Sequence, residues 1–208
     1  MSRRAVAYID GHNFYHGCVR DRPALKWLDL FGFCDALLGR HGVLERVKYY
    51  TARVVDFPSD PHQSQRQDVY LQALAADSRI EVVEGRFARR KKRVRLTSSG
   101  STAMAEVWEE KGTDVNLAVD LTHDAAAGST DVALVVSNDS DLQRAVDRAR
   151  SYGVEVVAAN PHHRTTPRPS LATDLNLSIR LWHLRDRQLA DEVSLPSGAV
   201  VRRPVEWS

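Results

Sequence analysis

Cysteine is almost missing from this chain: Cys18 and Cys34 are the only two among 208 residues. They lack CxxC spacing, which leaves no disulfide framework and fits buried thiols packing as small hydrophobes in a reducing cytosol. No stretch approaches the roughly 18 apolar residues that span a membrane. Met1-Ser2-Arg3-Arg4 runs straight into a strand-like segment, without the apolar core of a secretory signal. A cytoplasmic location is the expectation. Net charge is small too, since 29 Lys+Arg against 27 Asp+Glu leave a formal +2, too little to argue for a nucleic-acid partner. There is no internal repeat, no nucleophile elbow and no cysteine–histidine catalytic motif. The composition, 43% hydrophobic and 27% charged, is that of an ordinary globular protein. A mass of 23.3 kDa suits one well-packed α/β domain and would cramp two.

Hydrophobic patterning sets out the elements. Ala5–Ile9 reads as a buried parallel strand, Asp29–Arg40 as a helix and Arg46–Val55 as a second strand. Gln63–Ala76 is an amphipathic helix, and Ile80–Ala88 alternates like a strand before a basic stretch. After a Ser/Gly-rich break at Ser98–Thr102, a helix is expected from about Lys111 to Ala127. Val132–Val136 is the most apolar strand, followed by a helix over Leu142–Tyr152 and a strand over Val154–Ala159. This order predicts a three-layer α/β/α sandwich with a central, mainly parallel sheet. Ser170–Asp191 reads as a final helix, with an irregular tail through Pro196, Gly198 and Pro204 to Trp207.

What the chain does have is acidic islands at element ends. Tyr8-Ile9-Asp10-Gly11-His12-Asn13-Phe14 and Val135-Val136-Ser137-Asn138-Asp139-Ser140-Asp141 both follow apolar strands. Their carboxylates would emerge where a doubly wound sheet opens its crevice. A third island, Glu109-Glu110-Lys111-Gly112-Thr113-Asp114, opens a helix, with Asp120 further along. Carboxylates gathered from distant segments repel, and a hard divalent cation relieves that, so a Mg²⁺ or Mn²⁺ site leads. Each island also has a plain reading. Asp10 can cap the next element, and Asp141 suits a helix start by capping and dipole. That explanation leaves Asp139 over, which makes it the better ligand. Asp114 points toward the sheet with Leu117, Ala118 and Leu121. Asp120 lies about 120° around the helix from Asp114 and is open between outer partner, paired carboxylate and solvated one.

Arg86, Arg89, Arg90, Lys91, Lys92, Arg93 and Arg95 crowd into Gly85–Leu96, with Lys111 beyond the break. Such a cluster either tracks a phosphate backbone or is a solvated loop, and we favour RNA contact. Phe87 is the single aromatic inside the run, so a stacking platform is not evident. His162, His163, Arg164 and Arg168 follow the last strand and are candidate phosphate contacts; a His162–His163 metal pair is disfavoured against a plain loop. Tyr49, Tyr50, Trp108 and Trp182 read as packing residues.

Tyr-Ile-Asp-Gly-His-Asn-Phe-Tyr at 8–15, Glu-Lys-Gly-Thr-Asp-Val-Asn-Leu-Ala-Val-Asp at 110–120 and Val-Val-Ser-Asn-Asp-Ser-Asp-Leu at 135–142 resemble the NYN domain, a branch of the PIN-like nuclease superfamily. The resemblance covers roughly residues 4–162. It implies a PIN-like sandwich over residues 1–162 whose aspartates hold Mg²⁺ or Mn²⁺ and cut RNA, single-stranded or structured, endonucleolytically. Residues 163–208, a C-terminal helix and tail packed on the same domain, inherit no role from it. Carried over, it marks Asp10, Asp114 and Asp139 as the metal-binding set, with Asp141 and Asp120 as further catalytic members and Asn13 and Ser137 in support. Ser-Asn-Asp stands here where many relatives have Ser-Gly-Asp, a change Asn tolerates. The rivals are an RNA-binding or regulatory module of the same fold with little turnover, and a metal-dependent phosphatase or nucleotidase. A structural or toxin–antitoxin partner is a weaker rival. A homodimer is open.

Overall fold

The computed structural model describes residues 3–95, 100–162 and 168–208. Its centre is a six-stranded sheet in the order β3-β2-β1-β6-β7-β8, parallel throughout. The strands are β1 (Arg4–Asp10), β2 (Val43–Thr51), β3 (Ile80–Glu84), β6 (Val132–Val136), β7 (Glu155–Asn160) and β8 (Leu175–Ser178). The chain therefore grows outward from β1 to β3, returns to the middle, and grows outward the other way. The reversal falls between β1 and β6, and that is where such sheets carry their crevice.

Both faces are covered, which is why the central strands are continuously apolar. Ala5, Ala7 and Ile9 of β1 face one core with α2 (Leu30–Leu38) and α3 (Gln63–Ala75). Val6 and Tyr8 face the other, with α4 (Thr113–Ala126) and α5 (Gln143–Ser151). The three-layer expectation holds. By the strict two-residue alternation of a strand, Asp10 belongs to the α4 side.

Two segments differ from the sequence reading. The basic stretch is not a connection but β4 (Arg86–Arg95), paired antiparallel with β5 (Thr102–Lys111) as a separate two-stranded arm. Its charges are tolerable because carboxylates of β5 offset them: Lys91 lies opposite Glu106, Arg89 is 3.6 Å from Glu106, and Arg90 and Lys92 are each 3.9 Å from Glu109. Consequently α4 starts only at Thr113, after Gly112 at φ 92°, a left-handed conformation that glycine accepts freely. The segment 170–191 is not one helix either. Leu175–Ser178 pairs with the open edge of β7, whose unpaired backbone groups outcompete local helical preference. Only the short α6 (Leu181–Arg185) is helical there. Beyond it, β9 (Glu192–Ser194) and β10 (Val200–Arg202) form a small hairpin. Trp207 closes the tail, packed beside Trp27 and Tyr70 with ring centroids 6.3 and 6.0 Å away. Cys18 and Cys34 are buried free thiols, their pKa values pushed up by that burial. No helix among the described residues is long and apolar enough to cross a membrane.

Under α4 lies a polar layer. Lys48 Nζ, on β2, is 2.8 Å from Asp124 Oδ2 and 3.9 Å from Asp120 Oδ2. The Tyr8 hydroxyl donates to Asp124 at 2.8 Å, and the Tyr50 hydroxyl to Asp120 at 2.9 Å. Desolvation, reinforced by these carboxylates, raises the pKa of both tyrosines. Removing the ammonium alone would strand its carboxylates. We therefore expect Lys48→Met to lose about 3–5 kcal/mol of stability, with Asp124→Leu added to it restoring part of the loss. Urea denaturation measures both; an unchanged midpoint for Lys48→Met would contradict the pairing.

Candidate active site

At the reversal, strand ends are tied together by side chains. Asp10 ends β1 and is buried. One of its oxygens accepts from the Asn13 backbone N–H at 2.9 Å, the other from Ser137 Oγ at 2.8 Å. Ser137, just past β6, also accepts the Asp139 N–H at 3.1 Å. Asn13 Oδ1 accepts the Asn138 N–H at 3.2 Å, and Asn138 Oδ1 accepts the Ser170 N–H at 2.7 Å. Asn13 and Ser137 are thus both hydrogen-bonded into the tie around Asp10. Gly11 is required by the tightness of the turn: a Cβ there would sit 2.5 Å from the Tyr50 carbonyl oxygen.

Around this tie the carboxylates gather. Burial raises the Asp10 pKa to about 6, against two hydrogen bonds that lower it, and the Asp114 and Glu110 charges raise it further. The Asp114 pKa is also raised, by desolvation and then by Asp139, Glu110 and Asp141. Asp114 is itself on the exposed first turn of α4, so those neighbouring charges, rather than burial, give its shift weight. Asp139 is half-buried and caps the turn after β6, accepting the Asp141 N–H at 2.9 Å. Asp10, Asp114, Asp139 and Asp141, from three separated segments, therefore share one electrostatic neighbourhood. Asp120 is engaged differently: its Oδ2 accepts from the Tyr50 hydroxyl at 2.9 Å and lies 3.9 Å from Lys48 Nζ.

Sequence patterning does not single out Glu110 as a site residue, yet the fold brings it there. At the root of β5, its Oε2 meets His12 Nδ1 at 3.2 Å, and that hydrogen bond raises the His12 pKa. Its Oε1 is buried with no hydrogen-bond partner. The available signal is the alternation of β5, which puts Glu110 on one face with Trp108, Glu106 and Met104. Trp108, expected as packing, is 36% exposed and, with Phe87, Glu110, Gly11 and His12, lines a cavity of about 570 Å³. Trp182 is likewise exposed, its ring against His183. His163 and Arg164 lie outside the described residues.

Oxygen-only donors of this kind match Mg²⁺ or Mn²⁺ in chemistry. Their spacing is looser than a coordination shell: among the described residues no three His, Cys, Asp or Glu side chains are gathered closely enough to hold an ion. Charges that raise one another's pKa are nonetheless what a divalent cation compensates.

The arm extends from this site. Its face carrying Phe87 and Glu110 also carries Arg89 opposite Trp108, Lys91 opposite Glu106 and Arg93 opposite Met104. Arg86, Arg90, Lys92 and Lys111 fall on the other face, where Lys111 Nζ is 3.1 Å from Glu109 and Arg90 and Lys92 are each 3.9 Å from it.

The family model described as the NYN domain matches residues 4–176. A curated relative, 6-hydroxy-3-succinoylpyridine 3-monooxygenase HspA of Pseudomonas putida, is 33% identical over 176 residues, or 72% of this chain. The chain spans 56% of that relative's length. A solved Vibrio parahaemolyticus protein of unknown function aligns over 90% of this chain and 97% of its own, at 16% identity and a TM-score of 0.46.

An exposed carboxyl has a pKa of 3.8, whereas Asp10 titrates at about 6 in the fold. The folded state then binds its proton more readily than the unfolded one. Stability from this group is therefore lost as pH rises between those values, by on the order of 3 kcal/mol. With chelator present, Asp10→Asn should melt above the wild type at pH 8, and the two should converge near pH 4. A wild type that melts higher at pH 8 would refute the shift.

Proposed function

The chain belongs to the NYN domain family, and we propose that it is a metal-dependent ribonuclease cleaving RNA endonucleolytically at the crevice between β1 and β6. The observation that supports this best is the buried Asp10 carboxyl, pushed toward protonation and facing the charges of Asp114 and Glu110. A module that only binds RNA has no use for such a cluster beside a polyanion. A small-ester phosphatase has no use for the cationic arm.

Asp10, Asp114 and Asp139 would hold Mg²⁺ or Mn²⁺, which when bound supplies a water of lowered pKa and neutralises charge on the phosphoryl oxygens. The remaining work falls to the chain. Ser137 and Asn13 fix Asp10 by hydrogen bonds, so its position does not depend on the ligand. Asp139 is held by its own turn. Asp141 is exposed at the same turn and would orient or deprotonate a water. Asp120 acts at a distance, by anchoring α4 to β2 through Tyr50. Arg89, Lys91 and Arg93 would track the RNA backbone along one face of the arm.

The activity in the Pseudomonas relative's name gives a second reading, because the cavity of about 570 Å³ beside Glu110 has room for a substituted ring. Labelled single-stranded RNA separates the two. We expect cleavage with Mn²⁺, none with chelator, and a loss of roughly 100-fold or more in Asp10→Asn and Asp139→Asn with melting curves intact. RNA left whole under every divalent ion, with turnover of 6-hydroxy-3-succinoylpyridine instead, would decide for the second reading.

For RNA affinity, replacing Arg89, Lys91 and Arg93 together by Ala should flatten the dependence of log K on log salt by about one for each phosphate no longer neutralised. Replacing Arg90 and Lys92, on the other face, should change it less. Equal effects from the two sets would rule out tracking along a single face.

A further inference from the structure

The cavity beside the carboxylates has walls that ribonuclease chemistry alone does not need. Trp108 and Phe87 sit in neighbouring cross-strand pairs on one face of the arm, Arg89 with Trp108 and Phe87 with Glu110. Both rings line the cavity, as does Phe57, which is 41% exposed. Its volume of about 570 Å³ falls within the roughly 300–1,000 Å³ of small-molecule pockets. Glu110 stands where cavity and carboxylate cluster meet, since it lines the cavity and its Oε2 is 3.2 Å from Nδ1 of His12, two residues past Asp10.

We propose that this cavity seats a single nucleobase, turned out of an RNA strand so that its phosphate lies at the carboxylates. The inference rests on the ribonuclease reading and can be separated from it by experiment. A buried oxygen without a partner is costly, and Glu110 Oε1 is one, while Oε2 is occupied by His12. An acceptor of that kind calls for an N–H donor. Nucleobases carry amino or imino N–H groups on the edge of a flat, neutral ring, so one face can stack on Trp108 while the edge donates to Glu110. An anionic ring would bring negative charge against the same carboxylate.

The arm supplies the approach. From Glu110 outward, one face presents Trp108 with Arg89, then Glu106 with Lys91, then Met104 with Arg93. A strand that lays its backbone on those cations meets the aromatic pair at the inner end. Bases locked in a duplex cannot enter a side cavity, so the substrate is single-stranded where it is read.

The test uses free nucleosides against ribose, with chelator present, followed by tryptophan fluorescence and calorimetry. Adenosine, guanosine, cytidine and uridine are each titrated into the wild type, Trp108→Ala, Trp108→Phe and Glu110→Gln. We expect at least one nucleoside to bind where ribose does not, to weaken about tenfold or more in Trp108→Ala, and to be retained in Trp108→Phe. Glu110→Gln, which keeps an acceptor and adds a donor, should change the order of preference among bases. Nucleosides that bind no better than ribose overturn the inference, as do equal affinities in Trp108→Ala and wild type, or a pyridine carboxylate that outcompetes every nucleoside. If nucleosides bind as expected while RNA stays whole with Mn²⁺, the base seat stands and the ribonuclease reading falls. If RNA is cut at the same rate by wild type and Trp108→Ala, with or without a base beside the scissile bond, the ribonuclease reading stands and the seat falls.

Discussion

Between Ser137 and Asp10 runs a hydrogen bond of 2.8 Å that joins two strands along the line where the sheet reverses its direction of growth. Parallel neighbours such as β1 and β6 bring their C-terminal ends side by side, but nothing in the ladder fixes the loops that follow. The serine hydroxyl does that, and the Asp139 N–H bound to the same oxygen carries the constraint on to the next carboxylate. Asp10 therefore remains oriented although burial opposes its charge. Its neighbours inherit a fixed reference point: Asn13 through the backbone, Asn138 through Asn13.

A second polar layer holds the opposing helix. Lys48, Tyr8 and Tyr50 rise from β1 and β2 to meet Asp120 and Asp124 on α4. That layer sets the height of α4 over the sheet and hence where Asp114, on its first turn, stands relative to Asp10. Two kinds of aspartate thus share one helix, one kind spent on anchoring and the other left open to the crevice.

Much of this is legible in the sequence. The continuous apolar runs identify the buried parallel strands, and polar islands at their ends locate the crevice, because a strand buried on both faces tolerates an unpaired charge only where it stops. Asp10 can be assigned to the α4 side from alternation with Val6 and Tyr8. Less accessible is anything decided by a partner distant in sequence. Arg86–Arg95 looks like a basic connection until Glu106 and Glu109 are placed across from it. Leu175–Ser178 looks helical until the edge of β7 is available. Asp120 differs from Asp114 only through Tyr50, 70 residues away in sequence. Trp108 looks like a packing residue for the same reason: being exposed and beside Arg89 follows from pairing, not from composition.

The arm also has a pinched root. A Cβ on Gly85 would lie 2.7 Å from the Lys111 carbonyl oxygen and 2.8 Å from Thr113 Cγ2, so the two strands leave the body at one fixed separation. Beyond that point the ladder of β4 and β5 is ruled by side-chain parity alone. An insertion between root and cations keeps that parity only if it adds an even number of residues to the strand, whereas growth at the tip leaves it untouched. A single added residue before Arg89 would turn its cations toward the back of the ribbon, leaving Trp108 facing the cavity without them.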